Sequence, residues 1–137
     1  MPESFQLTVL TPVRTLLDER VESVIAPGTE GYLGVLANHA PLITALSPGK
    51  LTVRLAGGET RIYALSGGFL EVSANRAVIL ADAMEEPGLI DVNRAKQAAE
   101  RARERLRDLH GHWDVERAQV ALARALNRTK VAAEPTD

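Results

Sequence analysis

The sequence predicts an N-terminal antiparallel β-sandwich followed by a C-terminal antiparallel helical hairpin, with the change of character at Pro87 and Gly88. Three observations carry this. Before the join, short apolar segments recur with turn residues roughly every eight to twelve positions, the rhythm of a sandwich or barrel. No helical pattern separates them, which argues against βαβ units. Beyond Gly88 the apolar residues fall at intervals of three and four, the period of one helix face. The expected division is residues 1–86 for the strand-rich body and 87–137 for the hairpin.

Phe5, Leu7 and Val9 alternate with Gln6, Thr8 and Leu10, as in a strand with one buried face, and Thr11-Pro12 interrupts them. Further strands are expected at Val21 to Ala26, Gly31 to Leu36, Leu42 to Leu46, Leu51 to Leu55, Thr60 to Leu65, Phe69 to Val72 and Ala77 to Ala81. Ala56-Gly57-Gly58-Glu59 is a strong two-residue hairpin signal, because paired glycines tolerate the positive φ of primed turns. Ser73-Ala74-Asn75-Arg76 is a weaker one. Within the segment from Glu30 to Leu42, glycines, Tyr32, Leu33 and a polar turn before Pro41 suit either a strand and tight loop or a partly apolar contact surface.

In the helical half, Val92, Ala95, Ala99, Ala102, Leu106 and Leu109 form one seam, and Val115, Ala118, Leu122 and Ala125 form its counterpart. The short connector from His110 to Trp113 turns the second helix antiparallel to the first. Asp91 and Asp114 are the expected N-caps, and Gly111 suits the C-terminal turn of the first helix. Alanine buries little area, far less than the ~1.5 to 3 kcal/mol side chains Leu or Val would contribute, so the pairing is weakly held. The hairpin is a plausible moving part.

Composition narrows the function. The 137 residues are 45% hydrophobic and 25% charged, as in a globular chain with one core. A net charge of -2 hides an asymmetry, with 6 basic and 10 acidic residues up to Gly88 but 10 and 8 beyond it. An anionic partner would be drawn to the hairpin. Absence of cysteine excludes disulfide and thiolate chemistry. No apolar run approaches the roughly 20 residues of a membrane helix, and Met1-Pro2-Glu3-Ser4 does not open a signal peptide, so no direct membrane insertion is expected. Nor does a catalytic constellation emerge. His39 lacks a nucleophile, Ser66-Gly67-Gly68 is no nucleophile elbow, no P-loop is present, and His110 with His112 lacks further metal ligands.

The arginines of the hairpin form a pattern. Arg94 and Arg101 are two turns apart on one helix, Arg124 and Arg128 one turn apart on the other. A turn centred near Gly111 sets Arg94 beside Arg128 and Ala98 beside Arg124, so four guanidinium groups can gather near the open end. Planar forked donors suit phosphate or carboxylate. The alternative is that they splay into solvent and pair with Glu100, Glu104 and Asp108.

From Gln6-Leu7-Thr8-Val9-Leu10-Thr11-Pro12 through Gly31-Tyr32-Leu33-Gly34 and His39-Ala40-Pro41-Leu42 to Arg124-Ala125-Leu126-Asn127-Arg128, the chain resembles the epsilon subunit of bacterial F-type ATP synthases. The resemblance implies a non-catalytic rotor subunit of the central stalk, whose β body binds the gamma subunit and the c-ring on the cytoplasmic face of the membrane and helps couple proton flow to ATP synthesis. Gly31, Tyr32, Leu33 and His39 would be partner contacts, although the family often has an acidic residue where this chain has Tyr32. Ile90-Asp91-Val92-Asn93-Arg94-Ala95 matches the family's ATP-binding motif. By position Glu85 corresponds to the acidic group near adenine, and Arg94, Arg101, Arg124 and Arg128 to arginines near the phosphates. ATP, with or without Mg, is then a regulatory ligand that is not hydrolysed by this subunit. It favours the folded hairpin, whereas the extended hairpin reaches the catalytic head and inhibits ATP hydrolysis. A free-standing nucleotide-sensing module is the competing expectation. Binding of nucleic acid is disfavoured by the acidic balance and by the lack of aromatics beside the arginines.

Overall fold

A computed structural model describes residues 3–108, 111 and 114–134. Seven strands, β1 (Phe5–Leu10), β2 (Thr15–Gly28), β3 (Gly31–Leu36), β4 (Leu42–Leu55), β5 (Thr60–Ser73), β6 (Arg76–Ala81) and β7 (Met84–Glu85), precede a single 3₁₀ turn at Pro87–Leu89. Two helices follow, α1 (Val92–Arg107) and α2 (Val115–Ala132). The sandwich and hairpin expected from the sequence are both present.

The strands close on themselves in the order β1-β6-β5-β4-β2, with β2 also pairing β1 and β3 covering the outer side of β2. All pairs are antiparallel except β1 with β6, which run parallel. Phe5, Leu7 and Val9 point inward from β1 as their alternation predicts, and meet Val21, Val24, Leu51, Val53, Leu65, Leu70 and Ile79 in the core.

Two differences from the sequence-based expectation have one cause. Leu42 to Leu46 and Leu51 to Leu55 are a single strand, as are Thr60 to Leu65 and Phe69 to Val72. Pro48, Gly49, Gly67 and Gly68 bend these strands instead of ending them, and a strand of 14 residues, about 46 Å at 3.3 Å per residue, must bend to serve both layers. Gly68 has φ 145°, and a Cβ there would overlap the Leu80 carbonyl across the β5–β6 ladder.

The turns also exchange roles. The Gly57-Gly58 connection is a three-residue loop rather than a two-residue one, with Gly58 N–H donating to Leu55 O (2.8 Å), Leu55 N–H donating to Glu59 O (2.8 Å), and only Gly58 at positive φ. The two-residue primed turn falls instead at Ala74-Asn75, with φ 50° and 57° between the paired Ser73 and Arg76. Asn75 is held there by its neighbours. Its Oδ1 accepts from Asn38 N–H (2.7 Å) and its Nδ2 donates to Ser4 O (3.0 Å).

Asp91 Oδ1 accepts from Arg94 N–H and Asp114 Oδ1 from Arg117 N–H, both at 3.0 Å, so the two predicted caps are in place. Ala95, Ala99, Ala102, Ala118 and Ala125 are buried in the seam, and Val92, Leu106 and Leu122 half-buried. Val115 departs from it, being 55% exposed. The end of α1 uses the Asp108 carboxylate, which accepts from Gly111 N–H (3.0 Å), not a left-handed glycine. Leu109, His110, His112, Trp113 and the last residues from Pro135 lie outside the described set.

Candidate functional site

The join between body and hairpin concentrates the chemistry. β7 pairs with β5 through Ala64 and Leu65, which fixes Glu85 at the foot of α2. The chain then turns through Pro87–Leu89 and buries Ile90 against Ala64, Val131 and Ala132. Asp91 follows at once as the cap of α1, and Ala95 is fully buried in the seam. The motif Ile90-Asp91-Val92-Asn93-Arg94-Ala95 is thus a local structural unit, with one residue anchoring the hairpin, one starting its first helix and one packing it against the second.

α2 carries the hairpin's contacts with the body. Its second face, spaced at 124, 127, 128 and 131, meets β4 and β5. Arg128 grips Glu85 in a forked pair, Nε to Oε1 at 2.6 Å and Nη2 to Oε2 at 3.1 Å, with both side chains less than a third exposed. Asn127 Nδ2 donates to the Gly49 and Leu65 carbonyls (2.9 and 3.2 Å). Arg124 Nε donates to Ser66 O (3.0 Å) and its Nη2 pairs with Asp82 (3.3 Å). Beyond the end of α2, Glu134 pairs with Lys50 (3.0 Å).

Two of the four arginines are therefore neutralised by carboxylates of the body. This outcome lies between a bare cationic cluster and pairing with the acidic residues of the helices. Glu100 is taken by Arg103 and Arg107 instead. Arg94 and Arg101 are exposed on α1, and their guanidinium groups make no hydrogen bond or ion pair among the described residues. Arg101 lies with Glu104, Arg105 and Asp108 around a shallow depression.

The residues expected to contact partners divide. Gly31 and Tyr32 are exposed at the β2–β3 tip, and Leu33 is half-buried on the core. Tyr32 Oη accepts from Lys50 N–H (2.9 Å), which puts this tip beside the C-terminal end of the hairpin. His39 lies past the opposite end of β3, a strand about 20 Å long by its rise. Its Nδ1 carries the proton donated to Ala40 O (2.7 Å). The tip and the His39 turn are not neighbours, since a six-residue strand separates them.

Sequence reasoning missed a larger surface. Ala45, Phe69, Leu80 and Leu10 are cross-strand partners on β4, β5, β6 and β1, one row on the outer face of the sheet. Phe69 is 58% and Leu80 54% exposed, and they line a shallow cavity with Val13. Ile43 extends the face. The signal was present, because Phe69 beside Leu70 and Leu80 beside Ile79 are large apolar residues on the outward phase, where a solvated face would place polar ones. Asp82 and the second face of α2 were likewise not singled out.

Residues 4–87 match the family description "ATP synthase, Delta/Epsilon chain, beta-sandwich domain" and residues 90–133 match "ATP synthase, Delta/Epsilon chain, long alpha-helix domain". An ATP synthase epsilon chain of Desulforamulus reducens is 46% identical over 132 residues, covering 96% of this chain and 99% of that one. That of Moorella thermoacetica is 49% identical over 129 residues, covering 94% and 96%. A chain in the cryo-EM structure of the Euglena gracilis mitochondrial ATP synthase, OSCP/F1/c-ring, superposes with TM-score 0.77 at 28% identity, covering 97% of this chain and 82% of that one.

Proposed function

The chain belongs to the ATP synthase delta/epsilon family, as its non-catalytic epsilon subunit, and from that premise we propose that it is a rotor element joining gamma and the c-ring to the catalytic head through a nucleotide-responsive hairpin. Among the described residues no helix is long and apolar enough to cross a membrane. In this reading the subunit acts through its partners at the cytoplasmic face of the bacterial membrane. The Phe69–Leu80 row is the apolar dock for a stalk partner, and the Tyr32 tip and His39 turn extend the contact at either end of β3.

One observation carries the regulatory part. α2 packs on one side against the alanines of the seam and on the other meets the body through a largely polar contact, Arg124 on Asp82 and Arg128 on Glu85, which supports reading the hairpin as separable. Release exposes few large apolar side chains, Val131 and Ile90 chief among them. The residue types fit a nucleotide. Arg94 and Arg101 are unengaged among the described residues and Arg128 is held at the join by Glu85, whose carboxylate oxygens suit an exocyclic amine. Bound ATP would favour the folded hairpin through contacts that the extended form lacks, which is the condition for a ligand to shift an equilibrium.

The test is ATP hydrolysis by the assembled synthase with the full chain and with a chain ending at Gly88. Hydrolysis by the complex with the full chain is expected to rise with ATP occupancy of the subunit, and the truncated form to be uninhibited throughout. Equal rates in both complexes at low ATP would refute inhibition by the hairpin.

A further inference from the structure

Asp82 has no place in the nucleotide motif, yet it meets one of the arginines assigned to the phosphates. It follows β6, where its N–H donates to Gly67 O (3.0 Å), and its Oδ2 lies 3.3 Å from Arg124 Nη2. Arg124 completes its fork on the Ser66 carbonyl. One turn along α2, Arg128 is held by Glu85. The body thus presents two carboxylates and a carbonyl to the same donors that a polyphosphate would engage.

We propose that Asp82, with Glu85, is an internal counter-anion: it latches the hairpin onto the body without ligand, and a phosphate reaching Arg124 must displace it. The competitive half of this proposal rests on the nucleotide reading above; the latch does not. A folded hairpin without nucleotide then needs no other explanation, because the repulsion between Arg124 and Arg128 is already cancelled by two carboxylates. Arg94 and Arg101, exposed on α1 and unengaged among the described residues, are where an incoming phosphate makes first contact. Asp82 sets affinity by competing, which makes it an affinity-determining residue and not a ligand contact.

The sign of the effect separates this role from a purely structural one. If Asp82 stayed with Arg124 in the bound state, losing its charge would weaken ligand binding together with docking. As a competitor, its loss weakens docking but strengthens binding. The pair is 58% and 44% exposed, so each change is expected to be modest, about two- to fivefold, as for surface ion pairs.

The experiment uses the full chain and its Asp82→Asn variant, which keeps the backbone bond to Gly67. Since the chain has no cysteine, a pair of spin labels can be placed on one chain at Glu71→Cys and Ala133→Cys, both exposed. Without ligand, Asp82→Asn is expected to enlarge the long-distance population about two- to fivefold. ATP and inorganic triphosphate, titrated by calorimetry, are expected to bind the variant more tightly by a similar factor, and Arg124→Ala more weakly than wild type. An unchanged ligand-free distance distribution overturns the latch. Weaker ATP binding by Asp82→Asn overturns the competition. Absence of binding by wild type and variant alike overturns the nucleotide reading and with it the competition, while the ligand-free distances still decide the latch. Glu85→Gln supplies a second test of the latch should Asp82→Asn fail to fold.

Discussion

Val131 offers the most direct measure of how firmly the hairpin is seated. It is fully buried, and among the described residues its buried apolar company is Ala64 and Ile90, with Ala132 at the margin, so this cluster is the main apolar anchor between hairpin and body. Val131→Ala removes two methyl groups, worth about 0.8 kcal/mol each, or roughly 1.6 kcal/mol together. The surroundings are small residues at a surface seam, so the site can collapse partly and little is added for a residual cavity. A loss of 1.4 kcal/mol is tenfold in an equilibrium constant, and the undocked population is therefore expected to rise about tenfold. Amide hydrogen exchange reads this directly. Exchange from α2 should accelerate by that factor while the β1 and β5 core amides keep their protection. Leu126→Ala, at a residue 43% exposed, is the control and should change neither. If α2 exchange in Val131→Ala matched wild type, the polar contacts alone would be holding the hairpin and the anchor argument would be wrong.

The Arg128–Glu85 fork is less than a third exposed on either side, and a double-mutant cycle read by the same exchange should give a coupling of roughly 1 to 2 kcal/mol, above a surface pair and below a buried one. Ala74 holds a positive φ that costs a non-glycine residue about 1 to 2 kcal/mol, so Ala74→Gly is expected to raise the melting temperature of the chain by a few degrees despite the entropy that glycine adds to the unfolded state. Phe69→Glu should leave circular dichroism and melting unchanged, as Phe69 is exposed, but abolish capture of gamma, the partner proposed for this row; retained capture would remove the apolar row from the interface. Hydrogen bonds from Gln6 and then Thr8 lower the Asp18 pKa below the usual carboxylate range. The bonds favour the ionised form, so their contribution is present above the unfolded-state pKa and lost as pH falls through the folded one; an NMR titration of Asp18 should show that lowered midpoint, and Asp18→Asn should remove this part of the acid sensitivity.

Local and periodic information was plainly written in the chain. The alternation of Phe5, Leu7 and Val9 survived into the core because a half-buried strand permits one phase only, and the seam of Ala95, Ala99 and Ala102 because a helix face has one period. Asp91 and Asp114 cap because each need is met within three residues. The helical hairpin and its closing seam follow from spacing alone. The Ile90–Ala95 motif was legible only through the family resemblance, and its position relative to the body was not.

What tertiary structure decided was every matter of long-range pairing. Whether Pro48-Gly49 and Gly67-Gly68 end a strand or bend it depends on the ladder running past them, which the local sequence does not contain. Ala74-Asn75 takes the primed turn that Gly57-Gly58 advertises because Asn38 and Ser4, distant in sequence, hold Asn75 in place. The arginines make the same point. Helix geometry places Arg124 and Arg128 on one face, but their partners, Asp82 and Glu85, arrive from the end of the sheet, 42 and 43 residues earlier. A guanidinium has no directional preference between a carboxylate and a phosphate that its own neighbours could reveal; only the packing of α2 onto the body selects which anion it meets.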